Sequence, residues 1–149
     1  MNRPLIPIVR HTNAVGLPLP SYATPLSSGM DLYAAIPSIM RINPHEREVV
    51  PTGISIALPP DCEAQIRSRS GLAAREGIMV LNSPGTIDAD YRGEISVILY
   101  NTSDNIFILK RGMKIAQMVI APVIRIDWHE IKNLDATQRG AGGFGSTGV

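Results

Sequence analysis

The sequence predicts an all-β fold: one domain, a sandwich or jelly roll, with a single short helix and a flexible Gly-rich C-terminal tail. Three observations carry this. Successive short runs alternate apolar and polar residues with period two, the pattern of half-buried strands. The 149 residues include 13 Gly and 12 Pro, so turns are frequent and a helix bundle is disfavoured. Only one stretch carries helix signals at both ends.

Taken in order, Leu5 to Val9 reads as a first strand and Gly16 to Pro20 as a turn. Ser27, Ser28 and Gly29 form a small-residue turn before the strand Met30 to Ala34. Pro44 to Arg47 is a further turn, after which Val49 and Val50 resume an extended run. Ile54, Ile56 and Leu58 share one face of the next strand. Cys62, Ala64 and Ile66 then point one way, and Glu63, Gln65, Arg67 and Arg69 the other. The helix signal follows: Ser70 as N-cap, Leu72 to Arg75 with helix propensity, and Gly77 as terminator. An apolar run, Ile78 to Leu81, leads into the polar stretch Asn82 to Glu94, and Ile95, Val97 and Leu99 alternate beyond it. Asp104-Asn105 turns, Ile106 to Leu109 is a strand, Lys110 to Gly112 turns, and Met113 to Ile120 is a further strand. Pro122 to Trp128 is extended. From about Asn133 the chain is polar and Gly-rich, with little that could pack.

Composition narrows the function classes. A formal net charge of +1 argues against broad attraction to nucleic acid or membrane surfaces. Cys62 is the only cysteine, so no disulfide framework or cysteine-based zinc site is expected, and a reducing, cytoplasmic setting fits. Met1 to Arg10 contains Pro4 and Pro7 and no long apolar run, unlike a signal peptide. No run of 18 apolar residues predicts a membrane span.

Several stretches carry residues suited to chemistry. In Asn82 to Glu94, Pro84-Gly85 marks a turn, and Asp88 and Asp90 flank one small residue, with Tyr91 directly after. Loops between rigid strands are where sites are commonly built, although a solvated hairpin tip accounts for the same residues. Arg69-Ser70-Gly71 combines a helix start, a hydroxyl and a guanidinium, a suitable anion site; an ordinary cap explains it equally well. Gly140-x-Gly142-x-x-Gly145 matches the dinucleotide fingerprint in letters but not in context, because no helix-length segment follows it. A glycine-rich chain can still wrap a phosphate with backbone N–H groups, with Arg139 as a charge and Phe144 as a stacking face. His11, His45 and His129 lack metal-ligand spacing, and neither a P-loop nor a nucleophile elbow is present.

Five segments in order resemble the trimeric dUTPases (deoxyuridine 5′-triphosphate nucleotidohydrolases). They are Ser28-Gly29-Met30-Asp31-Leu32-Tyr33-Ala34; Arg69-Ser70-Gly71-Leu72-Ala73; Asn82 to Glu94; Arg111-Gly112-Met113-Lys114-Ile115-Ala116-Gln117-Met118; and the tail Arg139 to Gly148. Two small departures flank them: Ser68 where the family usually has Pro, and Ser28 where it often has Ala.

The resemblance implies a distorted jelly roll of the β-clip type over residues 1–138, and a C-terminal lid over residues 139–149 that completes the active site. It implies hydrolysis of dUTP to dUMP and pyrophosphate with Mg²⁺, by water attack on the α-phosphorus. That reaction keeps uracil out of DNA and supplies dUMP for thymidylate synthesis. Asp88 would be the general base, and Tyr91 would pack under the deoxyribose and exclude a 2′-hydroxyl. Asn82, the backbone of Thr86, Ile87 and Asp88, and Ser96 would read uracil. Arg69, Ser70, Gly71 and Gln117 would hold phosphates. Arg139, Phe144, Gly145 and Ser146 would close over the nucleotide. Asp31 would stand near the metal's water shell, with the metal held mainly by the triphosphate, and Asp90 would bond within the hairpin. The family is a homotrimer with shared sites and binds neither nucleic acid nor membrane. The dCTP deaminases share the β-fold but lack the Asp-x-Asp-Tyr pattern together with a Phe in a Gly-rich tail.

Overall fold

The structure is a computed structural model and describes residues 4–145. The elements in chain order are β1 (Ile8–Arg10), a 3₁₀ turn (Thr12–Ala14), β2 (Met30–Tyr33), β3 (Ile39–Ile42), β4 (Arg47–Pro51), β5 (Ile54–Ile56) and β6 (Cys62–Arg67). There follow α1 (Ser70–Glu76), β7 (Ile78–Val80), β8 (Gly85–Ile87), β9 (Ser96–Asn101), β10 (Phe107–Lys110) and β11 (Lys114–Pro122). The predicted all-β distorted jelly roll with one short helix is the observed one.

Every ladder is antiparallel. A four-stranded sheet in the order β2-β11-β6-β8 lies with a three-stranded sheet, β4-β9-β7, and with two ribbons, β1-β5 and β3-β10. Ile95, just before β9, and Val97 and Leu99 within it are buried with Leu32, Ile66 and Ile115 in one core. Among the described residues no helix is long and apolar enough to cross a membrane.

Several element ends shift by a residue or two, and three differences have a clear local reason. The first strand starts at Ile8 rather than Leu5, because Pro7 has no N–H to donate; its carbonyl accepts from Ala57 N at 3.0 Å and the ladder begins one residue later. β3 was not anticipated. Met40 and Ile42 face inward, but Ile39 sits on the exposed side and masks the alternation. The helix is capped differently as well. Arg69, not Ser70, holds the extended N-cap position, and no side chain bonds the free N–H groups of the first turn. The predicted terminator holds: Gly77 is left-handed at φ 66°, and its N–H closes on Ala73 O at 3.0 Å.

One buried polar residue ties the far end of the three-stranded sheet together. The Asn101 side chain donates to Ile42 O at 3.0 Å and Asn105 O at 2.7 Å, and accepts from Ser103 N at 2.9 Å and Ser103 Oγ at 2.8 Å. It is fully buried, so truncation leaves the Ile42 carbonyl unsatisfied. Asn101→Ala is expected to cost about 2–4 kcal/mol. Urea denaturation checks this as a lower midpoint with an unchanged m-value.

Candidate active site

The stretch from Asn82 to Glu94 was expected to be a simple hairpin between Ile78–Leu81 and the strand after Glu94. The flanks do pair, with Ile78 opposite Asn101 and Val80 opposite Leu99. Between them, however, β8 leaves this sheet and joins the other one, pairing Gly85 with Ile66, Thr86 with Gln65 and Ile87 with Ala64. The crossing is tight: a Cβ at Gly85 would lie 3.3 Å from both Ile66 Cβ and Asn82 Nδ2. Asn82 therefore lies over the strand it precedes. β8 is the edge of its sheet, so part of its backbone donors and acceptors face outward, free for a ligand.

Thr86, Ile87, Asp88, Tyr91 and Ser96 line one cavity of about 350 Å³, together with Val49, Glu94, Ile95 and Ile98. This volume lies in the range of small-ligand sites. Asp88 is exposed, and its carboxylate has no hydrogen-bond partner among the described residues, so it is open to the cavity. Tyr91 is fixed at both ends: its N–H donates to Asp88 O at 3.1 Å and its hydroxyl to Glu94 O at 2.9 Å. Gly93 makes room for the ring, since a Cβ there would stand 2.4 Å from the Tyr91 hydroxyl oxygen. Glu94, to which no role was given from sequence, anchors this floor. Its Oε1 accepts from Gly53 N and from Asn13 Nδ2, each at 2.7 Å. Asp90 departs from expectation: among the described residues it makes no bond within the hairpin and instead lines a neighbouring cavity with Arg92 and Arg125.

A second cluster forms where β6 passes into α1. The Arg69 guanidinium donates through Nε to Asp31 Oδ1 at 3.0 Å and through Nη1 to Lys114 O at 3.2 Å. Lys114 Nζ meets the other Asp31 oxygen at 2.8 Å. This hydrogen bond, reinforced by the Asp31 charge, raises the Lys114 pKa, so the ammonium stays charged at neutral pH. Gln117 pairs across the ladders with Asp31 and Arg67, and its Nε2 donates to Ser68 O at 3.1 Å. Gly29 packs closely beside it: a Cβ there would lie 2.6 Å from Gln117 Oε1, so the Gln117 amide would have to shift. Ser68, one of the two departures, has a bond that proline could not make: its Oγ accepts from Val80 N at 2.9 Å, joining this turn to β7. Ser70 is exposed and Gly71 half-buried at the helix start, with the Arg75 guanidinium folded over Gly71.

Among the described residues no three His, Cys, Asp or Glu side chains gather as metal ligands. Asp31 is a lone carboxylate with both oxygens engaged by cations. Such a donor set does not build a protein cage for a divalent ion. It suits Mg²⁺ carried on phosphates with its own waters, which is how this ion is commonly held.

A larger cavity of about 550 Å³ is lined by Leu5, Ile6, Tyr22, Met30, Met118 and Ile120 and contains none of the predicted site residues. Cys62 borders it, but burial, and then Asp61, raise its pKa away from thiolate chemistry. In the tail, Arg139 donates to Gly142 O at 2.9 Å, while Phe144 and Gly145 are exposed; Ser146 lies outside the described residues.

The family model described as dUTPase matches residues 16–148. The chain belongs to the dUTPase family. It is 57% identical to the deoxyuridine 5′-triphosphate nucleotidohydrolase of Anaplasma marginale over 144 residues, covering 97% of this chain and 98% of that one. It is 53% identical to the protein of the same name from the Wolbachia of Brugia malayi, covering 99% and 96%. Among solved structures, a dUTPase of Staphylococcus bacteriophage 80alpha with dUpNHpp superposes with a TM-score of 0.83 at 21% identity, covering 97% of this chain and 99% of that one. That likeness shows a shared fold. A mutant dUTPase from phage phi11 of S. aureus, which coordinates a structural Mg(II) ion, superposes with a TM-score of 0.76 at 19% identity over 89% of this chain and 100% of its own.

The contact between Gly93 and the Tyr91 ring yields a direct test. Gly93→Ala is expected to destabilise by about 1–3 kcal/mol through overpacking. In a Tyr91→Ala background the same change costs much less, because the ring it displaces is gone. A double-mutant cycle in urea reads this as a coupling of at least about 1 kcal/mol.

Proposed function

We propose that this chain hydrolyses dUTP to dUMP and pyrophosphate by directing water at the α-phosphorus. The observation that carries the reading is the cavity in which the unpartnered Asp88 carboxylate, the β8 edge and the fixed Tyr91 ring face one space. An edge strand offers fixed backbone donors and acceptors, which can match uracil and leave buried groups unpaired with cytosine. Asn82 and Ser96 flank that edge. Tyr91, held by Glu94, is the flat floor for deoxyribose and leaves no room for a 2′-hydroxyl.

Asp88 is the general base: it orients the water and takes its proton, a contribution of roughly 10²–10⁴-fold. Stabilisation of phosphate charge supplies the remainder. Arg69, Ser70, Gly71 and Gln117 provide it from the second cluster, which stands on a rigid sheet. A Mg²⁺ ion held on the triphosphate would supply charge neutralisation of the phosphate oxygens, and Asp31 is the carboxylate that would meet its water shell. The product dUMP then serves thymidylate synthesis, and removal of dUTP keeps uracil out of DNA.

The spacing within one chain supports shared sites. Ile87 pairs with Ala64, and Arg69 lies five residues along from Ala64, about 17 Å of extended chain. A base and a clamp acting on one α-phosphate must stand much closer than that. We therefore read the assembly as a homotrimer in which one subunit gives the phosphate cluster, another the Asp88 cavity, and a third the lid. The tail supports the last part: Arg139 bonds only within the tail among the described residues, and the Phe144 ring is wholly exposed.

Pyrophosphate release from dUTP, UTP, dCTP and dTTP with Mg²⁺ tests the reading, and turnover of dUTP alone is expected. Asp88→Asn should lower kcat by about 10²–10⁴-fold. Equal UTP turnover would remove the Tyr91 role, full activity in Asp88→Asn the mechanism, and ammonia release from dCTP the reaction itself. A chain ending before Arg139 is expected to keep its oligomeric state by light scattering while losing most turnover; dissociation would make the tail structural instead.

A further inference from the structure

We propose that Lys114 is the counter-ion that keeps the phosphate clamp attractive to anions, by neutralising Asp31 so that the Arg69 charge remains available. The inference rests on the reading of Arg69 to Gly71 as the phosphate site.

Three observations lead to it. First, a bulge in β11 selects Lys114. The register with β2 slips between Lys114, opposite Tyr33, and Ala116, opposite Leu32. Ile115 and Ala116 are both fully buried, so Lys114 and Gln117 emerge on the same outer side, where strict alternation would have separated them. Second, Asp31 divides its oxygens between two cations, Arg69 at 3.0 Å and Lys114 at 2.8 Å. Third, Arg69 is held by Nε and Nη1 on Asp31 and on the Lys114 carbonyl, which orients its guanidinium and leaves Nη2 without a protein partner among the described residues.

The charge count gives the consequence. Arg69 and Lys114 against Asp31 leave one positive charge; without Lys114 the trio is neutral and an unshielded carboxylate stands beside any phosphate on Arg69. Arg67, opposite Gln117 in the register, donates its guanidinium to Gln65 Oε1 at 2.6 Å and is not in contact with Asp31. Lys114 is thus a positioning and charge-balancing residue, not a group that touches the reacting atoms. One unit charge at a half-exposed phosphate site is worth about tenfold in affinity, about 1.4 kcal/mol.

Calorimetric titration of the full chain with dUpNHpp and with dUMP, both in a metal chelator, tests this. Lys114→Met is expected to bind dUpNHpp about tenfold more weakly and dUMP with a smaller loss, because fewer phosphates feel the charge. Lys114→Arg should bind dUpNHpp as the parent does. The deciding variant is Asp31→Asn combined with Lys114→Met, which lacks the ion pair but restores the charge balance; it should recover most of the lost affinity. Equal losses for the two nucleotides, or a double variant as weak as Lys114→Met, would make Lys114 a structural brace and overturn the proposal. Failure of the parent chain to bind dUpNHpp would overturn the proposed function as well, which separates the two outcomes.

Discussion

The ladder between Gly85–Ile87 and Ala64–Ile66 is the interaction on which the rest of the site depends. Without it, the stretch between β7 and β9 is a long polar loop whose acids and tyrosine point wherever solvent allows. With it, the loop is stitched across two sheets, and Asp88 follows directly from a paired residue. The crossing is tight at Gly85, where a Cβ would stand 3.3 Å from Ile66 on one side and Asn82 on the other. The floor beneath is built the same way. Tyr91 bonds to the backbone of Glu94, whose carboxylate bonds to the turn between β4 and β5 and to Asn13. Arg111 then holds the carbonyl of Asn13 at 2.7 Å, so a basic residue distant in sequence braces the cavity floor. The links from Glu94 and Arg111 are short and partly buried, the condition under which a hydrogen bond positions a side chain reliably.

The cluster of Arg69, Asp31, Lys114 and Gln117 is positioned by a different device. The bulge in β11 turns a strand with buried neighbours on both sides of the slip into one that projects Lys114 and Gln117 together. Asp31, on the neighbouring strand, gathers Arg69 and Lys114, and Gln117 and Ser68 close the turn from the other side. Strands carry Asp31 and Lys114, and Arg69, at the junction of β6 and α1, is held in place by two hydrogen bonds. This spares the cost of ordering long side chains when an anion arrives.

The two halves of the site stand far apart along one chain, and the tail that would cover them is exposed. Next to it the segment from Ile124 to Leu134 leaves Ile124, Trp128 and Leu134 almost wholly open. Under the proposed homotrimer, base, clamp and lid would be brought together between copies, while each sheet stays as it is built here.

The sequence by itself determined the all-β architecture, the order of most strands, the helix terminator at Gly77 and the residues of the five family segments. These are local properties: period-two burial, turn chemistry and residue identity act over a few neighbours and need no partner to be read. Family resemblance named Asn82, Thr86, Ile87, Asp88, Tyr91 and Ser96 as site residues; all but Asn82 line one cavity. The excursion of β8 into the second sheet, the bulge at Ile115, the strand hidden by the exposed Ile39, and the roles of Glu94, Asn13 and Lys114 were decided only by tertiary structure. In each case a residue's direction is set by a strand distant in the chain. Register and slip arise from backbone pairing between segments dozens of residues apart, and no local pattern records which partner a strand will choose.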